Sequence, residues 1–224
     1  MSTNLKKVTT LVFDWDGTLV DSARLGLEAF QKTFDDLDLP FPLDVYEATY
    51  SPNWYATYAA LGVPESQWKY ADSRWLSHYG EQCAPLLPNV AATLLELQKR
   101  GYRLGVVSSG SETRVCREMV ESQLSDLFAA VICNEHIENK KPHPEGLEKA
   151  LRQMGSANSE TAYVGDAPED IQMGQHAGVY TVGVRSEYPS SRRIAAANPD
   201  LLLESIADLT LHFYSNQQSA ISNR

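Results

Sequence analysis

Cysteine, histidine and positive charge are all scarce in this chain. Its 224 residues include three cysteines and five histidines. Cys83, Cys116 and Cys133 show no metal-ligand spacing, and the histidines are equally scattered. That argues against a Cys/His zinc site and a disulfide framework. Sparse, odd-numbered thiols fit a reducing cytoplasm, the expected location. No apolar run is long enough to span a bilayer, so no membrane contact is expected. Residues 1–7 lead straight into the first strand, which leaves no room for a secretion signal. Lysine and arginine number 19 against 29 aspartates and glutamates, a formal net charge of -10. Such a surface repels nucleic-acid phosphates, and no basic stripe offsets it. It also repels small anions, so any anion site must be made locally positive by a metal, a lysine or helix N-termini.

Hydrophobic residues make up 43% of the chain, enough for a sizeable core. The spacing predicts a buried strand over 8–13, then a helix from Asp21-Ser22 to about 37. Helical segments follow near 45–50, 54–61 and 65–79, rich in Trp and Tyr. Most of those rings are expected to pack a small core, with one or two left to line a cleft. After the linker 84–88 the rhythm changes. Strands over 102–108, 129–133, 161–164, 179–184 and 201–203 alternate with helices over 89–100, 111–124, 144–154, 168–177 and 206–211. Alternation of this kind means a parallel sheet with right-handed crossovers. The expected fold is α/β: a Rossmann-like parallel sheet with helices on both faces, plus an inserted all-helical cap. The core spans 1–20 and 86–224, and the cap 21–85. Nothing in the pattern distinguishes a monomer from a homodimer.

The strand ends carry the chemistry. Asp14 and Asp16 follow the first strand, with Gly17 just beyond. Residues two apart on a strand share a side, so the two carboxylates would crowd if the strand stayed regular. Crowded, buried carboxylates need a cation or a shared proton. A solvated Asp-Gly turn is the plainer alternative. Ser108, Ser109 and Gly110 follow the second core strand and offer a hydroxyl and amides before a helix. Lys140 and Lys141 precede Pro142, and Asp166 and Asp170 follow the 161–164 strand. Each group alone also reads as an ordinary cap or solvated loop. Together they set Asp, Asp, Ser, Lys and Asp on one rim of one sheet, where ligands of open α/β sheets bind.

In that order, Asp14-Trp15-Asp16-Gly17-Thr18, Ser108, Lys141-Pro142-His143-Pro144 and Gly165-Asp166 with Asp170 resemble the four motifs of the haloacid dehalogenase-like hydrolases. The helical insertion between the first two motifs resembles the phosphoglycolate phosphatase-like subfamily. The resemblance implies a Mg2+-dependent phosphatase acting on a small phosphorylated metabolite, with phosphoglycolate one possible substrate. It casts Asp14 as the nucleophile that becomes an aspartyl-phosphate, and Asp16 as general acid and then base. Asp14, the Asp16 carbonyl and Asp166 would hold the metal, with Asp170 acting through water or by orienting Asp166. Ser108 and Lys141 would steady the transferring oxygens; Lys141 is preferred to Lys140 because it directly precedes Pro142. Gly17, Ser109 and Gly110 would complete the phosphate cradle with backbone amides. Glu169 departs from the pattern, and two readings stay open for it: a carboxylate that supports the metal ligands from behind, or an exposed side chain. Arg24 could pair with a substrate carboxylate or lie on the surface.

Other family activities fit less well. A dehalogenase lacks the second acid, which is present here as Asp16. A β-phosphoglucomutase-type mutase carries a histidine where this chain has Gly26, so it stands as the alternative. A phosphonatase needs a cap lysine, for which only Lys32 and Lys69 are available. A non-catalytic phosphate-binding module would be expected to have lost a motif residue.

Overall fold

The computed structural model describes residues 7–214. The expectation for the N-terminal leader rests on residues that lie almost wholly outside this range.

β1 (Thr10–Phe13) opens the fold and is buried throughout. Four helices follow: α1 (Ala23–Asp36), α2 (Leu43–Thr49), α3 (Trp54–Ala60) and α4 (Trp68–Tyr79). Phe30, Phe34, Tyr46, Tyr58, Leu61, Val63 and Ala71 form their shared core, separate from that of the sheet. The chain enters and leaves this insertion by two adjacent segments. Asp21 N donates to Pro85 O at 2.8 Å, and Leu87 N to Leu19 O at 3.0 Å.

α5 (Val90–Lys99) then begins a regular alternation: β2 (Arg103–Val107), α6 (Glu112–Glu121), β3 (Phe128–Ile132), α7 (Glu145–Met154), β4 (Thr161–Gly165), α8 (Pro168–Ala177) and β5 (Tyr180–Val184). β6 (Leu201–Leu203) and α9 (Leu209–His212) complete it. All six strands pair in parallel, in the order β3-β2-β1-β4-β5-β6. Alternate residues of β1 face opposite layers. Leu11 and Phe13 join Val90, Leu94, Val115 and Leu209 on one side, whereas Val12 joins Leu147, Leu151, Met173 and Ala177 on the other. A strand covered on both faces must be apolar along its whole length, as β1 is.

The strand order reverses at β1, which creates a crevice at its carboxyl end. Phe13 pairs in register with Val106 of β2 and Val164 of β4. Residues just past these three strands therefore emerge at one level.

The expected elements are present, with shifted ends. The predicted helix over 65–79 splits into a 3-10 turn at Glu65–Gln67 and α4, and that over 206–211 into a 3-10 turn at Ile206–Asp208 and α9. The 3-10 stretch Pro189–Ala197 was not expected, because its Ser- and Arg-rich start shows no helical repeat of apolar residues. Among the described residues, no helix is long and apolar enough to cross a membrane.

Candidate active site

The chain leaves β1 through Asp14, whose amide extends the ladder to Val164 O at 2.8 Å. It then turns sharply at Gly17, where φ is +77°. A Cβ at Gly17 would lie 2.4 Å from Asp166 Oδ2 and 2.6 Å from Tyr188 Cδ2. Only glycine lets the turn press against the carboxylate that follows β4. Asp170, in the first turn of α8, accepts from Ala167 N at 3.0 Å and Tyr163 Oη at 3.2 Å. Asp14, Asp166 and Asp170 are all buried, and each places a carboxylate oxygen within 4.8 Å of the others.

Lys141 is buried with them. Its Nζ stands 2.5 Å from Asp14 Oδ1 and 2.7 Å from Asp170 Oδ1. Lys140 points elsewhere: it donates to Asn134 Oδ1 and lies 4.1 Å from the Trp54 ring centroid on α3. Ser108 is buried, and its Oγ accepts from Gly110 N at 2.9 Å. Ser186, on the loop after β5, donates to Asp166 Oδ2 at 2.5 Å.

Three acids face one ammonium here. Burial pushes the Asp14 carboxyl up to about 7; Lys141 opposes the rise, and Asp170 adds to it. Burial, then the charges of Asp14 and Asp170, hold Asp166 well above the usual carboxylate range. Burial disfavours the Lys141 ammonium, but Asp14 and Asp170 outweigh it and raise its pKa well above the ordinary value. This surplus of hard oxygen donors with unbalanced negative charge suits a divalent cation such as Mg2+. Asp14 and Asp166 are the freer donors, because both oxygens of Asp170 already have partners.

Asp16 does not crowd Asp14. The strand ends at Phe13 and the Gly17 turn breaks its alternation, so the Asp16 side chain swings toward α6. Arg114 Nη1 donates to Asp16 Oδ1 at 2.9 Å and Nη2 to Oδ2 at 2.5 Å, and Ser22 Oγ donates to Oδ1 at 2.6 Å. Burial opposes the Asp16 charge, but Arg114 and Ser22 outweigh it and hold the carboxyl below its ordinary range. Arg114 also reaches Glu118 Oε2 at 3.1 Å. Glu118 is buried and accepts from Trp15 Nε1 at 2.7 Å and Tyr79 Oη at 2.8 Å.

Two parts of the expected phosphate cradle differ. Gly17 N donates to Val20 O, and Gly110 N to Ser108 Oγ, so neither amide is free. Both glycines instead permit close approach: a Cβ at Gly110 would lie 2.2 Å from Arg114 Nη2. Ser109 lines the cleft. Arg24 lies on the surface, paired with Glu28 at 2.7 Å, and Lys32 and Lys69 are exposed. Glu169 is half-buried, and its Oε2 has no hydrogen-bond partner among the described residues.

Sequence reasoning missed Arg114, Glu118, Ser186 and Tyr188. Arg114 sits in the polar run Glu112-Thr113-Arg114, which reads as a solvated helix start. Its one signal was Glu118 four residues on. The cleft above the acids is closed from the insertion side by Phe30, Tyr50, Trp54, Tyr58 and Trp75.

The buried acids and the lysine thus meet at the switch point of a doubly wound sheet, where such folds place their ligand sites. The profile of the haloacid dehalogenase-like hydrolases matches residues 11–184, and the chain belongs to that family. It is 29% identical over 214 residues to pyrophosphatase PpaX of Bacillus cereus (strain AH820), covering 91% of this chain and 95% of that one. A predicted phosphoglycolate phosphatase from Haemophilus somnus superposes with a TM-score of 0.76 at 26% identity, covering 91% and 96% of the two chains. A Bacteroides fragilis structure described as a haloacid dehalogenase-like hydrolase shares the fold with a TM-score of 0.83 at 24% identity, covering 90% and 99%. Within that family of hydrolases, the relatives it is similar to are thus named as a pyrophosphatase and a predicted phosphoglycolate phosphatase.

Proposed function

We propose that this hydrolase is a phosphatase that depends on Mg2+ and hydrolyses a small phosphorylated metabolite through an aspartyl-phosphate on Asp14. One observation carries the reading: Lys141 Nζ bridges Asp14 and Asp170 at 2.5 and 2.7 Å, beside Asp166 in the same acid cluster. Asp14 and Asp166 would hold the metal, which supplies positive charge that offsets repulsion between the acids and a phosphate dianion.

In the first step an Asp14 oxygen attacks phosphorus. The bond to the leaving oxygen breaks, its electron pair departs with that oxygen, and Asp16 gives up a proton to it. In the second step water attacks phosphorus and loses its proton to Asp16. Inorganic phosphate leaves and the Asp14 carboxylate is regenerated. Lys141 and the Ser108 hydroxyl stabilise the equatorial oxygens as charge shifts. Both Asp16 oxygens sit in the fork of Arg114, so Arg114 must release Oδ2 for it to reach a leaving group, while Ser22 keeps its hold on Oδ1.

The insertion acts as a cap that keeps water from the site. Among the described residues, its share of the cleft wall carries no lysine or arginine, but carries Asp72 and several aromatic rings. That favours an uncharged alcohol as leaving group over a second phosphate or a carboxylated alcohol. The test is a panel of p-nitrophenyl phosphate, sugar phosphates, phosphoglycolate and pyrophosphate, with Mg2+ and with EDTA. Metal-dependent release of phosphate from monoesters is expected. Hydrolysis of none by the Mg2+-supplied protein would refute the reading.

A further inference from the structure

The loop after β5 carries none of the residues by which the sequence announces its chemistry, yet it reaches Asp166, Ser22, the Gly17 turn and the insertion. Ser186 Oγ donates to Asp166 Oδ2 at 2.5 Å and accepts from Tyr188 N at 3.1 Å. Ser191 braces the turn: its Oγ accepts from Ser186 N at 2.9 Å, and its amide donates to Tyr188 O at 3.0 Å. This is a fixed turn that presents a buried tyrosine.

Tyr188 Oη lies 3.0 Å from Ser22 Oγ, and Ser22 Oγ lies 2.6 Å from Asp16 Oδ1. Serine has one hydroxyl proton, and the Asp16 carboxylate is purely an acceptor, so that proton points to Asp16. The remaining contact then has one polarity: Tyr188 donates to Ser22, and Ser22 donates to Asp16. The ring of Tyr188 packs against the Gly17 turn and stacks on Tyr50 with centroids 5.1 Å apart and planes 24° apart. Tyr50 is the residue that ends α2 of the insertion. The same loop grips that helix end again: Arg193 donates to Ala48 O at 2.9 Å and to Tyr50 O at 2.5 Å.

We propose that Tyr188 is a positioning residue for the phosphatase reaction, which fixes the Asp16 carboxylate through Ser22 and ties its orientation to the helical insertion through Tyr50. The inference rests on the phosphatase reading and adds to it the route by which the insertion acts on the proton donor. Arg114 supplies the charge opposite Asp16, and the Tyr188–Ser22 chain supplies the direction. A shift of the α2 end carries Tyr50, the stacked ring and its hydroxyl with it.

The test compares p-nitrophenyl phosphate with phenyl phosphate, in the presence of Mg2+. The two substrates have nearly the same shape, but phenolate is the poorer leaving group and depends far more on a well-placed acid. Tyr188→Phe keeps the ring and its stack and removes only the hydroxyl. The ratio of kcat/KM for p-nitrophenyl phosphate to that for phenyl phosphate is expected to rise at least fivefold. Ser22→Ala breaks the same chain at its other end and should give a similar rise, with no further increase in the double variant. Tyr50→Leu leaves both hydroxyls in place and removes the stack; the same bias is expected. A ratio unchanged within twofold in Tyr188→Phe, whatever its absolute rates, overturns the inference, because a structural defect lowers both substrates alike. A shift in Tyr188→Phe but none in Tyr50→Leu overturns the tie to the insertion. Failure of the wild-type protein to hydrolyse either ester would overturn the phosphatase reading, and this inference with it.

Discussion

The guanidinium of Arg114 grips both carboxylate oxygens of Asp16, at 2.9 and 2.5 Å. Each acid of the Asp14-Trp15-Asp16 segment therefore has its own cation, Lys141 for Asp14 and Arg114 for Asp16. The two environments push the acids apart: Asp14 rises to about 7, and Asp16 falls below its ordinary value. That order is the reverse of what a nucleophile and a proton donor need. On the proposed mechanism a cation held by Asp14 and Asp166 would favour the Asp14 carboxylate, and release of Oδ2 by Arg114 would let Asp16 take up a proton. The two acids would then hold the protonation states that the proposed mechanism requires, with Ser22 still on Asp16 Oδ1.

Asp14→Asn removes the proposed nucleophile and keeps the side-chain volume. Turnover of p-nitrophenyl phosphate should fall by at least about 10^3-fold. Lys141 retains Asp170 as a partner, so the fold should survive, as circular dichroism would show. Residual activity above a tenth of wild type would mean that another group attacks phosphorus.

Lys141→Met deletes the one ammonium among three buried acids. Removing one partner of a buried pair costs about 3–5 kcal/mol. For a chain of this size that is a drop of roughly 10 °C in Tm. Saturating Mg2+ should recover part of the loss, because the ion meets the same unbalanced charge. Differential scanning fluorimetry with and without Mg2+ measures both effects. A variant as stable as wild type without metal would show that Lys141 balances no buried charge in the fold.

The fold was largely written in the sequence, because a doubly wound sheet leaves a strong trace. The apolar segments around Leu11, Val106 and Val164 are bounded by Gly, Ser and Asp, and their length and spacing mark buried parallel strands. The candidate site was legible where it hangs on strand ends. Asp14, Ser108 and Asp166 are positioned by register alone, and Lys141 by its place just before Pro142. What stayed hidden depends on long-range side-chain reach. Arg114 and Glu118 lie on one face of α6, and nothing local says that this face turns toward the β1 loop. Ser186 and Tyr188 belong to a loop without periodicity, placed only once β5 and α2 are packed. The engaged amides of Gly17 and Gly110 were equally invisible, since a glycine looks the same whether it frees a donor or admits a neighbour.

Gly17→Ala tests the closeness of the β1 turn to Asp166. Alanine at φ +77° is strained by roughly 1–2 kcal/mol. Its Cβ would also start 2.4 Å from Asp166 Oδ2 and 2.6 Å from the Tyr188 ring. Neither neighbour is the free end of a flexible chain, because Ser186 holds one and Tyr50 the other. The variant should melt several degrees lower and lose more than about tenfold in kcat/KM, read by fluorimetry and by p-nitrophenyl phosphate hydrolysis. Wild-type behaviour in both would show that the turn has room to spare.

The raised pKa of Asp14 gives the metal-free protein an unusual pH response. Its carboxyl titrates near 3.8 when unfolded and near 7 in the fold. Between those values the folded state binds the extra proton, so this group's contribution is complete below about pH 4 and is lost as pH rises through 7. Asp14→Asn lacks the titration, so its Tm minus that of wild type should grow steadily from pH 4 to pH 7 in EDTA. Asp166 is raised in the same direction by burial and then by the charges of Asp14 and Asp170, so Asp14→Asn weakens that rise as well and adds to the same trend. Mg2+ reverses the slope: the ion needs the carboxylate, so its stabilisation of wild type should strengthen over the same interval. A Tm difference that stays flat from pH 4 to pH 7 in EDTA would mean that Asp14 is already ionised in the metal-free fold. Lys141 alone would then balance it, and the charge argument for a divalent ion would have to rest on Asp166 and Asp170.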